Sequence, residues 1–489
     1  MAYRNLREYL NALEKSDNLI QVEEKLSPVL EIPEFLRQVM LRKGPAVLFN
    51  NVKGHPGWRV AGNLFGSLDR IKLALGLERL EEAGWRLVGN LWRKPPYTLT
   101  EKIKAVKLLT GLESYLPSET GVAAFKDIVV EGRDVNLYSL PAFKTWPGDG
   151  GRYFTFAQTV TVNPSTGSAS IGVYRLMIKS PRELVIHWQM HKRGRLNYLE
   201  SSGREGMPVA VVIGGDPAFM LTGAMPVPHP MDKYLFAGAL AGRGVRVYIL
   251  PNGVPVPSGA EVVLEGYVSP ERTSGEGPFG DHWGYYDKPT HGFPVMEVER
   301  VWMRESPIFV GTIVGRPPLE DAWIGKAVER VFLPIIRTVI PEIVEVNFPV
   351  YGVFQGLMIV SVRKTFPGQG KKVINALWGV GQTSLTKIIV VVDEDIDPHN
   401  IDQVIWAVSS NVNPQRDVLV LRDAHTDHLD PSARVPGIGG KLGLDATRKF
   451  REENDCRDWP EEVRQDPLVE EAMKRLVEKL LGGEVSGRV

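Results

Sequence analysis

The stretch GEGPFGDHWGYY, Gly275 to Tyr286, places Glu276 and Asp281 in one compact loop punctuated by glycines and Pro278. Two carboxylates held that close do not share one pKa, because burial and mutual repulsion raise one of them and leave it able to deliver a proton near neutral pH. The same residues read equally well as a glycine-rich turn with solvated carboxylates. A second run, Ser170 to Gly194, carries Arg175, His187, His191, Lys192 and Arg193 on what read as two strands. Guanidinium binds carboxylate or phosphate bidentately, so this cluster suits a substrate carboxylate or a cofactor phosphate. The alternative is an exposed strand pair with its basic residues outward. DAHTDHLD, Asp423 to Asp430, superficially resembles a metal-ligand run but reads as a solvated turn after a strand. PGIGGKLGLDAT, Pro436 to Thr447, brings backbone amides and Lys441 near a prospective phosphate, without the Ser or Thr that a P-loop places after its lysine.

The elements that must position these groups divide the chain into blocks. At 489 residues the length fits about three domains. The 58 basic and 58 acidic side chains balance, so no net field draws the protein to nucleic acid or an anionic membrane. Glycine (49) and proline (36) make up roughly 17% of the residues, above the usual total and below the range typical of disorder. Cys456 is the single cysteine, which excludes an internal disulfide, a thiolate zinc site and an iron–sulfur cluster. The opening MAYRNLREYL lacks the apolar core of a signal peptide, and a cytoplasmic protein without a membrane span is expected.

Residues 1–115 read as a small α/β unit, with Leu6, Leu10 and Leu13 at helical spacing and AVLFNNV as a strand. A helix follows near Ser67 to Leu80, then a basic connector from Lys94 to Lys107. Residues 116–310 hold short β-rich runs (FTFAQTVTV, VAVVIG, VRVYIL, EVVLEGYV) that imply a barrel or sandwich, interrupted by a helix at Met231 to Ala241. Residues 311–450 alternate helix and strand, with a helix near Ala322 to Val339, strands at Met358 to Lys364, KIIVVVD and DVLVL, and a helix near Ile401 to Ser410, which predicts a mixed or parallel sheet. Residues 451–489 form a tail whose helix, Pro467 to Leu481, aligns Leu468, Ala472, Leu476 and Leu480 on one face for docking on its own chain or a neighbouring subunit.

VYRLM at Val173, HWQMHKRG at His187, AMPVP at Ala224, EVVLEGYV at Glu261, EGPFGDHWGYY at Glu276, GRPPLED at Gly315 and GGKLGLDAT at Gly439 together resemble the UbiD family of reversible decarboxylases, in the family's order and over most of the chain. The resemblance implies an N-terminal α/β domain, a central split β-barrel of flavin-reductase type that binds prenylated FMN, and a C-terminal α/β domain used in oligomerisation. It places Arg175 to orient the substrate carboxylate and pair with Glu276, with Glu276 and Asp281 as a coupled pair of acids, either of which is the proton donor. Val173, Tyr174, Arg175, His187, Trp188, Gln189, Lys192 and Arg193 match positions that contact the flavin. The implied reaction is non-oxidative decarboxylation of an aromatic or α,β-unsaturated acid through a covalent adduct with the cofactor. Physically, loss of carbon dioxide from an sp² carbon needs an electron sink that no side chain provides.

The resemblance also brings in manganese and potassium, the former usually held by asparagine, histidine and glutamate. Here the histidine is His191, the asparagine position is Ser170 and the glutamate position is Lys233, or Asp232 with a one-residue slip. Serine and lysine are poor ligands for a hard divalent ion, so Lys233 is expected to set its own charge beside the flavin phosphate, helped by Lys441 or Arg193. Trp283, Tyr285, Phe293 and Met225 are compatible with an aromatic substrate or with core packing. A phosphorylated isoprenoid acid facing Lys233 also fits. The partners expected are a small carboxylic acid, carbon dioxide, a flavin prenyltransferase as cofactor supplier, and further copies of the chain in a homodimer or homohexamer. The rival reading is a non-catalytic flavin-binding subunit or scaffold of a multi-subunit carboxylase.

Overall fold

The computed structural model describes residues 2–89, 98, 110–190, 192–201, 206–228 and 231–481. The basic stretch Lys94 to Lys107, expected as a connector, lies outside the described residues apart from Thr98.

The N-terminal helix Leu6–Lys15 starts on Asn5, whose side chain accepts from the Glu8 amide, and buries Leu6, Leu10 and Leu13 as their spacing predicts. It packs beside a four-stranded sheet in the order Leu19–Val22, Ala46–Phe49, Arg59–Gly62, Ile308–Val310. The last of these strands returns from the far end of the block read as barrel, so the N-terminal unit is closed by a distant segment. The helix expected from Ser67 is short: Leu68–Leu75 ends at Gly76 in the left-handed conformation, and a separate helix, Glu81–Val88, follows.

The central domain is a curled half-barrel sheet of nine strands, and the architecture as a whole is α/β plus β. Its spine is one long hairpin, Val262–Glu276 against Thr290–Met303, whose register shifts near Glu265, after Val268 and near Ser274. Such irregularities bend and twist a ribbon and re-aim the side chains at its end. The run VRVYIL leaves this sheet, pairing as Arg246–Ile249 with Pro255–Pro257 and Ser118–Glu119 in a small sheet of its own. The Ser170 to Gly194 run is two strands only in part: after Leu176–Ser180 and Glu183–Ile186 it turns into the helix Arg193–Glu200, with Lys192 at its N-cap.

The C-terminal domain has a five-stranded sheet in the order Ile343–Asn347, Leu357–Val362, Ile388–Asp393, Ile438–Asp445, Val418–His425. Its three middle strands are parallel and both edges antiparallel. Apolar clusters form on both faces, one beneath Gln369–Gly379 and the other beneath Ile401–Asn411. Glycines concealed the strand Ile438–Asp445 from sequence reading, yet they permit close packing: a Cβ on Gly443 would fall 2.7 Å from Ile374 and 3.0 Å from Trp378. The tail helix Pro467–Leu481 buries none of its residues on its own chain. Among the described residues no helix is long and apolar enough to cross a membrane.

Candidate active site

Glu276 is the final residue of the long hairpin strand Val262–Glu276, and the turn that follows folds back as a miniature hairpin, Phe279–Gly280 against Tyr286–Asp287. Gly277, at φ +94°, makes the reversal possible, since a side chain there would be strained. Glu276, Asp281 and Asp287 are thereby presented from one connection. Arg175 enters from the neighbouring ribbon, between Ala169–Val173 and Leu176–Ser180. Its guanidinium grips Glu276 bidentately, Nε to Oε1 at 2.9 Å and Nη2 to Oε2 at 2.7 Å. Nη1 donates to Asp281 at 2.7 Å and Nη2 also to Asp287 at 2.5 Å. Phe279 covers the guanidinium face, with the ring centroid 4.8 Å away. Arg175, Glu276 and Asp281 are all buried, at 9, 1 and 7% exposure, so the solvated-turn reading of this loop fails.

Each acid has a second partner. His187 Nδ1 lies 3.0 Å from Glu276 Oε2. His282 binds Asp281 through its backbone amide at 2.6 Å and through Nδ1, while its Nε2 reaches Asp427 at 3.1 Å. Burial pulls the Glu276 carboxyl upward, but the His187 hydrogen bond and the Arg175 charge outweigh it and leave the pKa below its ordinary value. Asp281 is driven down much further, since against burial it meets both His282 and Arg175. His282, despite burial, is pushed up to about 10 by Asp281 and Asp427. The two acids are therefore unequal.

Lys192, Arg193 and Lys233 form a separate cationic group. Burial, with the charges of Arg193 and Lys192, draws Lys233 down to about 7. Arg193 donates through Nη1 to the Met231 carbonyl at 2.8 Å. Cations packed closely enough for Arg193 and Lys192 to depress Lys233 suit a bound phosphate. Among the described residues, His187 Nε2 and Trp188 Nε1 are buried with no hydrogen-bond partner, as polar edges awaiting a ligand would be. These features fit a flavin nucleotide.

A divalent metal does not fit. Lys233 Nζ already donates to the carbonyls of Ile171 (2.6 Å), Met225 (3.1 Å) and Thr222 (3.4 Å), so a built-in cation holds the oxygens that an ion would use. Asp232 is the helix cap instead, accepting from the amides of Tyr234 at 2.7 Å and Ala169 at 2.7 Å. Ser170 is buried on its strand, and His191 lies outside the described residues. His187, Glu276 and Asp287 bring ligand atoms within 4.8 Å of one another, but the Arg175 guanidinium bonds both carboxylates and fills that role.

Two expectations need correction. Lys441 does not join the phosphate group: it sits on Ile438–Asp445, and its ammonium is tied to the carbonyls of Ser384 and Thr386. Arg175 does not join it either, being committed to carboxylates. Among the flavin-matching positions, Tyr174 and Trp188 pack edge to face with centroids 6.1 Å apart, close to the half-buried Val173 and Gln189. Met225 is core, Tyr285 is exposed, and Phe293 packs on the His187 ring at 4.3 Å. Sequence reasoning missed Asp287, His282 and Asp427. The only signal for Asp427 was the DAHTDHLD run, whose reading as a solvated turn is overturned because Asp427 is 3% exposed.

Family models match three consecutive stretches: the 3-octaprenyl-4-hydroxybenzoate carboxy-lyase N-terminal domain over 10–92, its Rift-related domain over 118–317 and its C-terminal domain over 322–446. The chain belongs to the UbiD family of carboxy-lyases. An uncharacterized protein of Aeropyrum pernix is 54% identical over 466 residues, 95% of this chain and 96% of that one. One from Archaeoglobus fulgidus is 43% identical over 469 residues, 95 and 96% of the two chains. The vanillic acid decarboxylase of Sedimentibacter hydroxybenzoicus in its closed form superposes with a TM-score of 0.85 at 27% identity, covering 98% of this chain and 99% of that chain. Its open form gives 0.77, also at 27% identity and the same coverage. The UbiD-class enzyme HmfF of Pelotomaculum thermopropionicum, solved with FMN, gives 0.78 at 26% identity and 96 and 98% coverage.

Proposed function

We propose that this protein is a reversible non-oxidative decarboxylase of an aromatic or α,β-unsaturated carboxylic acid that works with prenylated FMN in the cytoplasm. The carrying observation is the buried Arg175 guanidinium shared by Glu276, Asp281 and Asp287. Lys192 and Arg193 would hold the flavin phosphate, and Tyr174, His187, Trp188 and Gln189 would line the ring system. When bound, that cofactor supplies the electron sink for carbon–carbon cleavage. Arg175 orients the substrate carboxylate, and the phenyl rings of Phe279 and Phe293 keep water from the acids. A substrate carboxylate adds negative charge beside three carboxylates, which raises the pKa of the acid least firmly held as an anion. Asp281 is locked as the carboxylate by His282, so Glu276 takes up the proton and delivers it to the carbon that loses carbon dioxide. Net, one proton is consumed and one carbon dioxide released.

The test is co-expression with a flavin prenyltransferase, confirmation of the cofactor by mass spectrometry, and a screen of aryl and acrylic acids for carbon dioxide release. Flavin bound without any turnover would instead support the scaffold reading, against which the intact trio of Arg175, Glu276 and Asp281 argues. The unburied apolar face of Pro467–Leu481 we assign to a second copy of the chain, in a homodimer or homohexamer.

Lys233 takes the place of the metal in this reading. Holoprotein prepared with excess manganese is expected to carry far less than one metal ion per chain by elemental analysis, and a stoichiometric ion would defeat the assignment. Lys233→Met should weaken FMN binding about tenfold, because it removes a positive charge beside the phosphate site; its three donors are already spent on the carbonyls of Ile171, Thr222 and Met225. In the wild type, FMN affinity measured by fluorescence titration should decline as pH rises above about 7, where half of the free protein's Lys233 ammonium has lost its proton.

A further inference from the structure

The DAHTDHLD turn belongs to the C-terminal domain, yet its Asp427 reaches the acid loop of the central domain. Asp427 Oδ2 accepts from Trp283 Nε1 at 3.0 Å and meets His282 Nε2 at 3.1 Å. Its other oxygen, Oδ1, accepts from the amide of Leu429 at 3.1 Å, which fixes the carboxylate on its own turn. The C-terminal domain also covers the flat face of His282: the Phe354 ring stacks on it at 5.3 Å. Val353 and Phe354 both hold left-handed backbone, φ +55° and +41°, an unfavourable conformation for a β-branched or bulky residue that the surrounding structure must sustain. Two independent elements of one domain thus converge on a histidine of the other.

We infer that Asp427 is a positioning residue that acts across the domain junction, holding His282 as the cation that keeps Asp281 ionised and leaves proton delivery to Glu276. The groups facing His282 are Asp281 on its own loop, Asp427 on the C-terminal turn and Asp321 at the start of the helix Glu320–Val339. Phe354 and Trp283 are its apolar covers. Lys192, His425 and His428 face Asp427 in turn. Burial pushes Asp321 up to about 7, so Asp281 and Asp427, both in hydrogen-bond contact with the ring, are the anions that select the imidazolium. Without Asp427, His282 retains one close acid and loses the hydrogen bond that requires Nε2 to be protonated.

The test reads His282 directly and depends on the decarboxylase reading only in its second arm. In the flavin-loaded full chain labelled with ¹³C-histidine, the His282 resonance is identified by its disappearance in His282→Gln. Wild-type His282 should stay protonated to beyond about pH 8.5, while Asp427→Asn should lower its midpoint by more than about one unit and Asp427→Glu should restore it. A wild-type midpoint below about pH 7.5 overturns the inference even if the Asn variant fails to fold, as does an unchanged midpoint in that variant. On any acid the screen identifies, Asp427→Asn should reduce kcat on the order of 10–100-fold with flavin loading intact, and should add to the kcat–pH profile an ionisation that the wild type lacks. An unchanged kcat and profile overturns it. If no acid is turned over, the decarboxylase reading fails and the resonance still decides this one.

Discussion

Replacing Glu276 with Gln should lower carbon dioxide release by roughly 10³-fold while leaving flavin binding intact, the scale of losing a positioned general acid. Glutamine fills the same volume and its carbonyl oxygen still accepts from Arg175, whose other donors keep Asp281 and Asp287. What disappears is the buried acid that no cationic histidine locks and that takes up the proton when substrate adds its charge. Asp281→Asn should behave differently, because Glu276 can still deliver the proton: a smaller loss in kcat, with a higher KM from the altered hold on Arg175. Carbon dioxide release and the mass of the bound cofactor, measured on the same preparations, separate the two variants. If Glu276→Gln turns over normally and Asp281→Asn does not, the roles are reversed.

Arg175, Glu276 and Asp281 were legible because each stands in a compact run whose residue types already define a chemistry, and Glu276 and Asp281 share a single loop. Asp287 was not, since an acid beside two tyrosines after a glycine turn reads as a surface residue, and only the small hairpin Phe279–Gly280 against Tyr286–Asp287 folds it back onto Arg175. The His282–Asp427 contact joins residues 145 positions apart, and no local pattern encodes a meeting of two domains. Lys441 misled for the opposite reason. Glycines before a lysine are compatible with a phosphate loop, but they also serve a strand pressed against Ile374 and Trp378, and packing decided between them. The α/β blocks were readable where apolar residues repeat regularly, as in Leu6, Leu10 and Leu13. The small sheet around Arg246–Ile249 was not separable from the barrel, because alternation identifies a strand and not its partner.

Arg175→Gln should be the most destabilising single change in the site, by about 3–5 kcal/mol at neutral pH, because it leaves buried carboxylates without their shared counter-charge. The pH dependence should change sign with it. In the wild type the folded-state pKa values of Glu276 and Asp281 lie below their ordinary values, so the stability they contribute is present above about pH 4.5 and fades as pH falls through the folded values. Without Arg175, Glu276 keeps the His187 hydrogen bond against its burial, and its folded pKa should rise above the ordinary value. Asp281 remains low because His282 still faces it. The penalty is then full above the raised Glu276 value and is relieved as acidification protonates that carboxyl. Thermal unfolding of the flavin-loaded protein between about pH 5 and 8 should show the variant approaching the wild type at the acid end and diverging at the alkaline end. A variant that melts with the wild type's pH slope would mean that Glu276 is already neutral in the folded protein. In that case the acid that donates to carbon carries its proton before any substrate arrives.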